Sequence, residues 1–160
     1  MISLVNDTID KKDIDQLVDW LKTYPRLTKG PRTLELEKKW SKWLGQEHSV
    51  FVNSGSSAIL LMLCSLLEAD LITKNSKVVI PSLAWATDLS PAVQLGLTPI
   101  LCDINLHNLS VDLKHLEKIF KQEQPQVLIL VSILGFVPDM DEILELCNRY
   151  NVILLEDACE

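Results

Sequence analysis

Hydrophobic residues recur at two spacings along the chain, and these spacings predict helices and strands in alternation. Two amphipathic stretches come first. Their apolar stripes are Ile14, Leu17, Val18 and Leu21 in one helix, and Leu36, Trp40, Trp43 and Leu44 in the next. Gly45 follows the second stripe as a predicted C-cap. Short aliphatic runs predict five strands, at residues 49–53, 77–80, 98–102, 127–131 and 152–155.

Helical patterns separate these strands. Residues 58–67 are apolar almost all round, which predicts a fully buried helix. Three further stripes are Ala92, Val93 and Leu95; Leu113, Leu116, Ile119 and Phe120; and Met140, Ile143, Leu144 and Cys147. Asp139 with Glu142 three residues later predicts a capping box at the start of the last helix. Strands alternating with helices indicate an α/β fold, a mostly parallel sheet with helices on both faces, in one incomplete domain.

Composition and charge narrow the possible partners. The 160 residues carry a net charge of −7 without an acidic tail, which argues against nucleic acid or an anionic membrane as the main partner. Residues 1–7 lack the basic and apolar pattern of a signal peptide, and no apolar run is long enough to span a bilayer. The four cysteines show no metal-binding spacing, so we expect a cytoplasmic protein with reduced thiols and no metal site.

The predicted carboxyl ends of the strands hold the candidate chemistry, because ligands of open parallel sheets bind there. Residues 53–57 join a strand to a buried helix and contain Gly55, Ser56 and Ser57. Free amides at the helix start and two hydroxyl groups would suit a phosphate. The alternative is an ordinary N-cap formed by Ser56 or Ser57.

Two other side chains in these positions suit a planar, protonated ring. Asp157 lies at the rim of an aliphatic layer, where its carboxylate needs a cationic or hydrogen-bonding partner such as a protonated ring nitrogen. Trp85 could stack on such a ring. The alternatives are an Asp that caps a following helix and a tryptophan of the core.

Taken in order, six segments resemble the DegT/DnrJ/StrS sugar aminotransferase family of fold-type-I pyridoxal-phosphate enzymes. They are residues 28–31, 53–58, 81–87, 96–103, 134–141 and 156–158. The resemblance implies a three-layer sandwich, the large domain of that fold, of which this chain resembles the N-terminal portion only. It further implies that Gly55, Ser56 and Ser57 hold the cofactor phosphate, that Trp85 stacks on the pyridine ring and that Asp157 pairs with its nitrogen.

The same resemblance leaves the reaction open. Glu160 stands where relatives often have Gln or His beside the cofactor. The family's Schiff-base lysine would lie beyond residue 160, so we expect the chain alone to be inactive. The leading hypothesis is amino transfer from glutamate or glutamine to a nucleotide-linked keto-sugar, in deoxy-amino-sugar or surface-polysaccharide biosynthesis, by a homodimer. Alternatives are a sugar 3-dehydrase of the same family, which Ser56–Ser57, Trp85 and Cys159–Glu160 resemble, or a non-catalytic interaction module.

Overall fold

The computed structural model describes residues 6–160, in two compact units. The first unit ends at Phe51 and the second is Val52–Glu160. Residues 1–5, where the sequence lacks a signal-peptide pattern, lie outside the described part of the chain. No helix within residues 6–160 is long and apolar enough to cross a membrane.

The first unit contains the two predicted amphipathic helices. Helix α1 is Lys11–Leu21, and the Asp10 carboxylate caps it by accepting hydrogen bonds from the backbone N–H groups of Lys12 and Asp13. Helix α2 is Pro31–Leu44 and ends, as predicted, at Gly45, whose φ of 71° lies in the left-handed region that glycine tolerates. Both helix predictions are confirmed.

The second unit is an α/β fold with one parallel sheet. Its elements are α3 (Gly55–Glu68), β1 (Lys77–Pro81), α4 (Ala86–Gln94), β2 (Thr98–Cys102), α5 (Leu113–Glu123), β3 (Val127–Val131), α6 (Met140–Tyr150) and β4 (Ile153–Asp157). All pairings are parallel, in the order β2-β1-β3-β4. The chain therefore adds strands first on one side of β1 and then on the other.

The prediction of a strand at residues 49–53 is wrong. A strand needs a neighbour that satisfies its backbone groups, and the four-stranded sheet does not include this segment. Side chains of α2 bind it instead. The Phe51 backbone N–H donates to the Glu37 carboxylate at 2.9 Å, and the hydroxyl groups of Ser41 and Ser49 are 2.7 Å apart.

Two apolar layers enclose the sheet, one on each face, and this confirms the predicted three-layer arrangement. Helices α3 and α4 cover one face, where Ile59 and Leu63 pack with Ile80 and Ile129. Helices α5 and α6 cover the other face. The prediction that the α3 stretch is fully buried is wrong, because Leu61 is 45% exposed and only one face of this helix is covered.

Two details of α6 also differ from prediction. Asp139 is the N-cap residue, but its side chain makes no capping hydrogen bond, so the predicted capping box is absent. Its carboxylate accepts instead from the side-chain amide of Asn108 at 3.0 Å. The predicted buried stripe is shifted, because Leu144 is 42% exposed and Leu146 is buried in its place.

Candidate active site

The carboxyl ends of the strands form one edge of the sheet, and the candidate residues follow from them. In the register of β3 and β4, Val131 is level with Asp157, so both strands end together. β1 ends at Pro81, four residues before Trp85. The strand order reverses between β1 and β3, and such a reversal opens a crevice for ligands at the carboxyl edge.

The start of α3 belongs to this same edge. The C-terminal ends of α3 and α4 meet at the opposite edge, where Leu67, Glu68 and Gly96 line a surface cavity of about 680 Å³. Because the two helices contact each other and end together, their first residues, Gly55 and Ala86, share the carboxyl edge. This cavity is therefore at the edge away from the candidate residues.

The loop at the start of α3 presents an open backbone. Its N-cap is Ser54, whose hydroxyl accepts the Ser57 backbone N–H at 3.2 Å, so the alternative cap at Ser56 or Ser57 is wrong. A side chain added at Gly55 would meet no atom within 4 Å. The first amides of a helix have no intrahelical acceptor. Gly55 and Ser56 are exposed, and the site fits an anion such as a phosphate.

Trp85 lies at the start of α4, and its indole ring is exposed to solvent. The side chain is 62% exposed, which rules out the alternative of a core tryptophan. Its backbone φ and ψ of −78° and 152° make it the extended residue before the helix. An exposed aromatic face at the end of β1 is available to a planar ligand.

Asp157 is the last residue of β4 and is half-buried. Ile153 and Leu155 belong to the α3/α4 layer, while Leu154 belongs to the opposite layer. Because alternate residues of a strand share a face, Asp157 lies on the α3/α4 side. Its carboxylate accepts the Cys159 backbone N–H at 3.0 Å, two residues further along the chain.

Asp88, one turn into α4, was missed by the sequence analysis. It is 0% exposed, and its carboxylate accepts the Trp85 backbone N–H at 3.1 Å. Burial, and after it the charge of Asp157, raise the pKa of Asp88 to about 6. The signal was present in the sequence, because Asp88 occupies the same helix face as Pro91 and Ala92, which are buried.

Glu160 is held against the loop that follows β3. Its carboxylate accepts the Leu134 backbone N–H at 2.6 Å. Leu134 has a φ of 52°, and a side chain added at Gly135 would lie 3.4 Å from the Glu160 carbonyl oxygen. The structure thus places Glu160 at the same edge as Asp157.

The described residues therefore offer an anion-binding helix start, an exposed aromatic ring and a pair of acids at one edge of a parallel sheet. This combination suits a ligand with a phosphate and a planar, basic ring. It defines the class of protein as an α/β ligand-binding domain of the open-sheet type.

Comparison with known proteins gives the family. The model of the DegT/DnrJ/EryC1/StrS aminotransferase family matches residues 7–160, and the chain belongs to this family. GDP-4-keto-6-deoxy-D-mannose 3-dehydratase of Escherichia coli O55:H7 is 29% identical over 156 residues, which are 96% of this chain and 39% of that protein. The UDP-4-amino-4-deoxy-L-arabinose–oxoglutarate aminotransferase of Shewanella sediminis is 29% identical over 157 residues, which are 98% of this chain and 39% of that protein.

The solved structures agree on the fold. The E. coli GDP-4-keto-6-deoxy-D-mannose-3-dehydratase with bound hydrated pyridoxal phosphate matches with a TM-score of 0.90 and 28% identity, over 98% of this chain and 40% of that one. The fold is thus that of part of a fold-type-I pyridoxal-phosphate enzyme. The chain spans about two fifths of the length of the relatives it matches.

Proposed function

We propose that this chain is the cofactor-binding part of a pyridoxal-phosphate enzyme that transfers an amino group to a nucleotide-linked keto-sugar. The observation that carries the proposal is the meeting of three features at one sheet edge: the open start of α3, the exposed ring of Trp85 and the carboxylate of Asp157. Each suits one part of the cofactor, namely its phosphate, its ring face and its ring nitrogen.

Each of these residues binds or orients one part of the cofactor. The amides of Gly55 and Ser56 and the hydroxyl groups of Ser56 and Ser57 bind the phosphate dianion at the positive end of α3. Trp85 covers one face of the ring and excludes water from it. Asp157 keeps the ring nitrogen protonated. When bound, the cofactor supplies an electron-withdrawing ring that stabilises negative charge on a substrate carbon.

Glu160 acts beside this ring. Its hydrogen bond to the Leu134 amide fixes the carboxylate at the end of the β3 loop. A fixed acid next to the cofactor can accept or orient a proton of the bound sugar. The proposal assigns no catalytic role to the lysines of this chain, because none lies at the position of the family's Schiff-base lysine.

Sugar dehydration is the second candidate reaction. The matches to the GDP-4-keto-6-deoxy-D-mannose 3-dehydratase structure reach a TM-score of 0.90, whereas a sugar aminotransferase structure from Streptococcus pneumoniae in its pyridoxamine-phosphate form reaches 0.80 at 25% identity. Ser56–Ser57, Trp85 and Cys159–Glu160 also resemble the dehydrase branch. The same site would then hold the aminated cofactor while a sugar hydroxyl leaves.

The remaining parts of the proposal concern the whole protein. Its amino donor is glutamate or glutamine, and it works in the cytoplasm as a homodimer. The exposed apolar stripe of α1 supports a partner subunit, because Ile14, Leu17 and Val18 are open to solvent within the first unit. Sedimentation of the whole protein at micromolar concentration should give the mass of a dimer, and a monomer would contradict this part.

Cofactor capture tests the proposed site. The chain is mixed with pyridoxal phosphate, reduced with borohydride and digested for peptide mapping. We expect reversible, weak binding and no single dominant modified lysine. A protein that includes this chain together with the family's lysine should be labelled at one position beyond residue 160. A dominant label on one lysine of this chain would contradict the assignment.

Product analysis separates the two reactions. The protein that includes this chain is given a nucleotide-linked 4-keto-sugar and glutamate, and the products are weighed by mass spectrometry. Amino transfer predicts an amino sugar, with one glutamate consumed for each. Dehydration predicts a product that lacks one sugar hydroxyl.

Asp157→Asn should abolish turnover and leave some cofactor bound, and a fully active variant would contradict the role of Asp157.

A further inference from the structure

Asp88 is an acid enclosed in the apolar α3/α4 layer, and one of its oxygens lacks a partner. The side chain is 0% exposed. One oxygen accepts the Trp85 backbone N–H at 3.1 Å, while Oδ1 finds no hydrogen-bond donor among residues 6–160. Burial of a carboxylate oxygen without a donor is unfavourable, and it favours the protonated form of Asp88.

Asp157 is the acid on the same side of the sheet as Asp88. Asp157 ends β4 at the carboxyl edge, where α4 begins with Asp88 in its first turn, and the Asp157 charge contributes to the raised pKa of Asp88. The other titratable groups on the surrounding elements lie at the amino edge of the sheet or on its opposite face; they are Cys64 and Glu68 of α3, Lys77 of β1, Cys102 of β2 and Glu156 of β4. Strand β3 contributes only aliphatic side chains.

The position of the shared proton follows from burial. Asp88 is enclosed, whereas Asp157 is half-buried and also accepts the Cys159 amide. The neutral form belongs on the group that loses more hydration, which is Asp88. Its raised pKa agrees, with burial as the largest cause and the Asp157 charge as the next.

We propose that Asp88 is a second acid of the ring-nitrogen site, which shares one proton with Asp157 in the free chain and releases it when a protonated pyridine ring pairs with Asp157. Below about pH 6 the O–H of Asp88 donates to the Asp157 carboxylate, and the pair carries one negative charge. When the ring N–H donates to Asp157, the Asp88 proton leaves to solvent and the pair carries two charges beside one ring cation. The release step rests on the proposed function; the shared proton does not.

Asp88 is thus a positioning residue, because it acts on the ring through Asp157. In its ionised form it places a second negative charge near Asp157. This charge raises the affinity of the site for a protonated ring. In its neutral form it fixes the orientation of the Asp157 carboxylate by a hydrogen bond. The substitution Asp88→Asn would preserve that hydrogen bond through the new amide N–H but could never supply the second charge.

Carboxyl NMR of the free chain tests the shared proton. The chain is labelled with ¹³C at the aspartate carboxyl carbon and titrated from pH 4 to 8. We expect the Asp88 signal to titrate near pH 6 and its midpoint to fall by at least one pH unit in Asp157→Asn. The matched control, Asp141→Asn, changes an exposed acid of α6 and should leave the midpoint unchanged. A normal Asp88 midpoint, or one unaffected by Asp157→Asn, would overturn the proposal.

Ligand binding tests the release step. The probe is 4′-deoxypyridoxine 5′-phosphate, which has the ring and phosphate but cannot react with lysine. Its affinities for the wild-type chain and for Asp88→Asn should be equal at pH 5 and differ by about tenfold at pH 7.5, with wild type tighter. A ratio that does not change with pH would overturn the release step.

The failures of the two proposals are distinguishable. If the wild-type chain shows the linked Asp88 titration but does not bind the probe, the cofactor site and the release step fail while the shared proton stands. If the probe binds and the titration of Asp88 is normal, the cofactor site stands and Asp88 has no part in it. Amide NMR spectra of each variant establish that it is folded before either measurement is interpreted.

Discussion

The two layers that cover the sheet are built differently. The α5/α6 layer has an aliphatic and aromatic interior, in which Phe120 and Tyr150 meet edge to face with ring centroids 5.8 Å apart. Its charged groups stay at the rim, where Glu117 accepts from Tyr150 and pairs with Arg149. The α3/α4 layer instead encloses an acid, Asp88, with an unpartnered oxygen.

The two sides of the sheet therefore differ in what they contribute to stability and to the candidate site. Burial of apolar surface with satisfied rim groups stabilises the fold. A buried acid next to a second acid is unfavourable for stability and is typical of functional sites. Both layers bury apolar surface against the sheet, and the α3/α4 layer also carries the carboxyl-edge site at some loss of stability.

Truncation of Phe120 should have the largest effect on stability. The ring is 1% exposed in the α5/α6 layer, so Phe120→Ala should lower the free energy of unfolding by about 3–5 kcal/mol. Urea denaturation followed by circular dichroism measures it. Leu144→Ala on α6 is the control, because its side chain is 42% exposed and should change stability by less than about 1 kcal/mol. Equal losses for both would contradict the close packing of Phe120 in the α5/α6 layer.

Asp88→Asn should stabilise the chain above pH 6. The pKa of Asp88 is raised from 3.8 to about 6, so the folded state binds the proton more tightly than the unfolded state. Stability from this group is present below about pH 4 and is lost as pH rises through 6. About two pKa units correspond to about 3 kcal/mol, which Asp88→Asn should recover at pH 7.5.

The measurement for this prediction is the difference in unfolding free energy between variant and wild type at pH 4 and pH 7.5. We expect a small difference at pH 4 and the full gain at pH 7.5. Asp141→Asn serves as the exposed control and should show neither. A loss of stability in Asp88→Asn that is the same at both values would show that Asp88 is merely a structural hydrogen-bond acceptor.

Trp85→Ala should weaken ligand binding and leave the stability of the fold nearly unchanged. Because the indole is 62% exposed, its removal should change the free energy of unfolding by less than about 1 kcal/mol. Loss of stacking should weaken binding of 4′-deoxypyridoxine 5′-phosphate by about 1 kcal/mol, or roughly fivefold. Trp43→Ala in α2, also exposed, is the control and should leave the affinity unchanged. Equal affinities of the Trp85 variant and wild type would exclude stacking.

Thiol reactivity should report the packing of the α5/α6 layer with no mutation. Burial raises the pKa of Cys147 to about 11 and that of Cys102 to about 12, the latter with help from Asp112 and Asp103. Neither should react with a disulfide reagent at pH 8 without unfolding. Cys159, exposed beside the site, should react at once. Mass mapping of the labelled peptides checks the order, and early labelling of Cys102 would contradict the tight α5/α6 layer.

The sequence predicted most of the fold because buried strands have a strong local signal. The runs that became β2 and β3 have the predicted bounds, and β3 is aliphatic and buried throughout. Residues 49–53 have a similar pattern, but pairing depends on a neighbouring strand, which no local pattern reveals. The buried stripe of α6 also depends on tertiary contacts, because packing buries Leu146 and leaves Leu144 exposed.

The candidate site was predicted in part. The topology brings Asp157 to the carboxyl edge with the starts of α3 and α4, as the resemblance implied. Their roles toward a cofactor stay predictions. Asp88 was not predicted as a site residue because an acid on a short helix is usually solvated. Only its position on the buried face distinguishes it from a solvated acid. Its link to Asp157 joins residues 69 positions apart and could not be read from spacing.

Amide shift mapping of the chain with 4′-deoxypyridoxine 5′-phosphate tests the central claim most directly. That claim is that the carboxyl edge holds the phosphate at the start of α3 and the ring between Trp85 and Asp157. We predict that saturable ¹H–¹⁵N shift changes concentrate at Gly55–Ser57, at Trp85 and at Asp157. Saturable changes confined to the opposite edge, around Leu67 and Gly96, or no saturable change at all, would contradict the account.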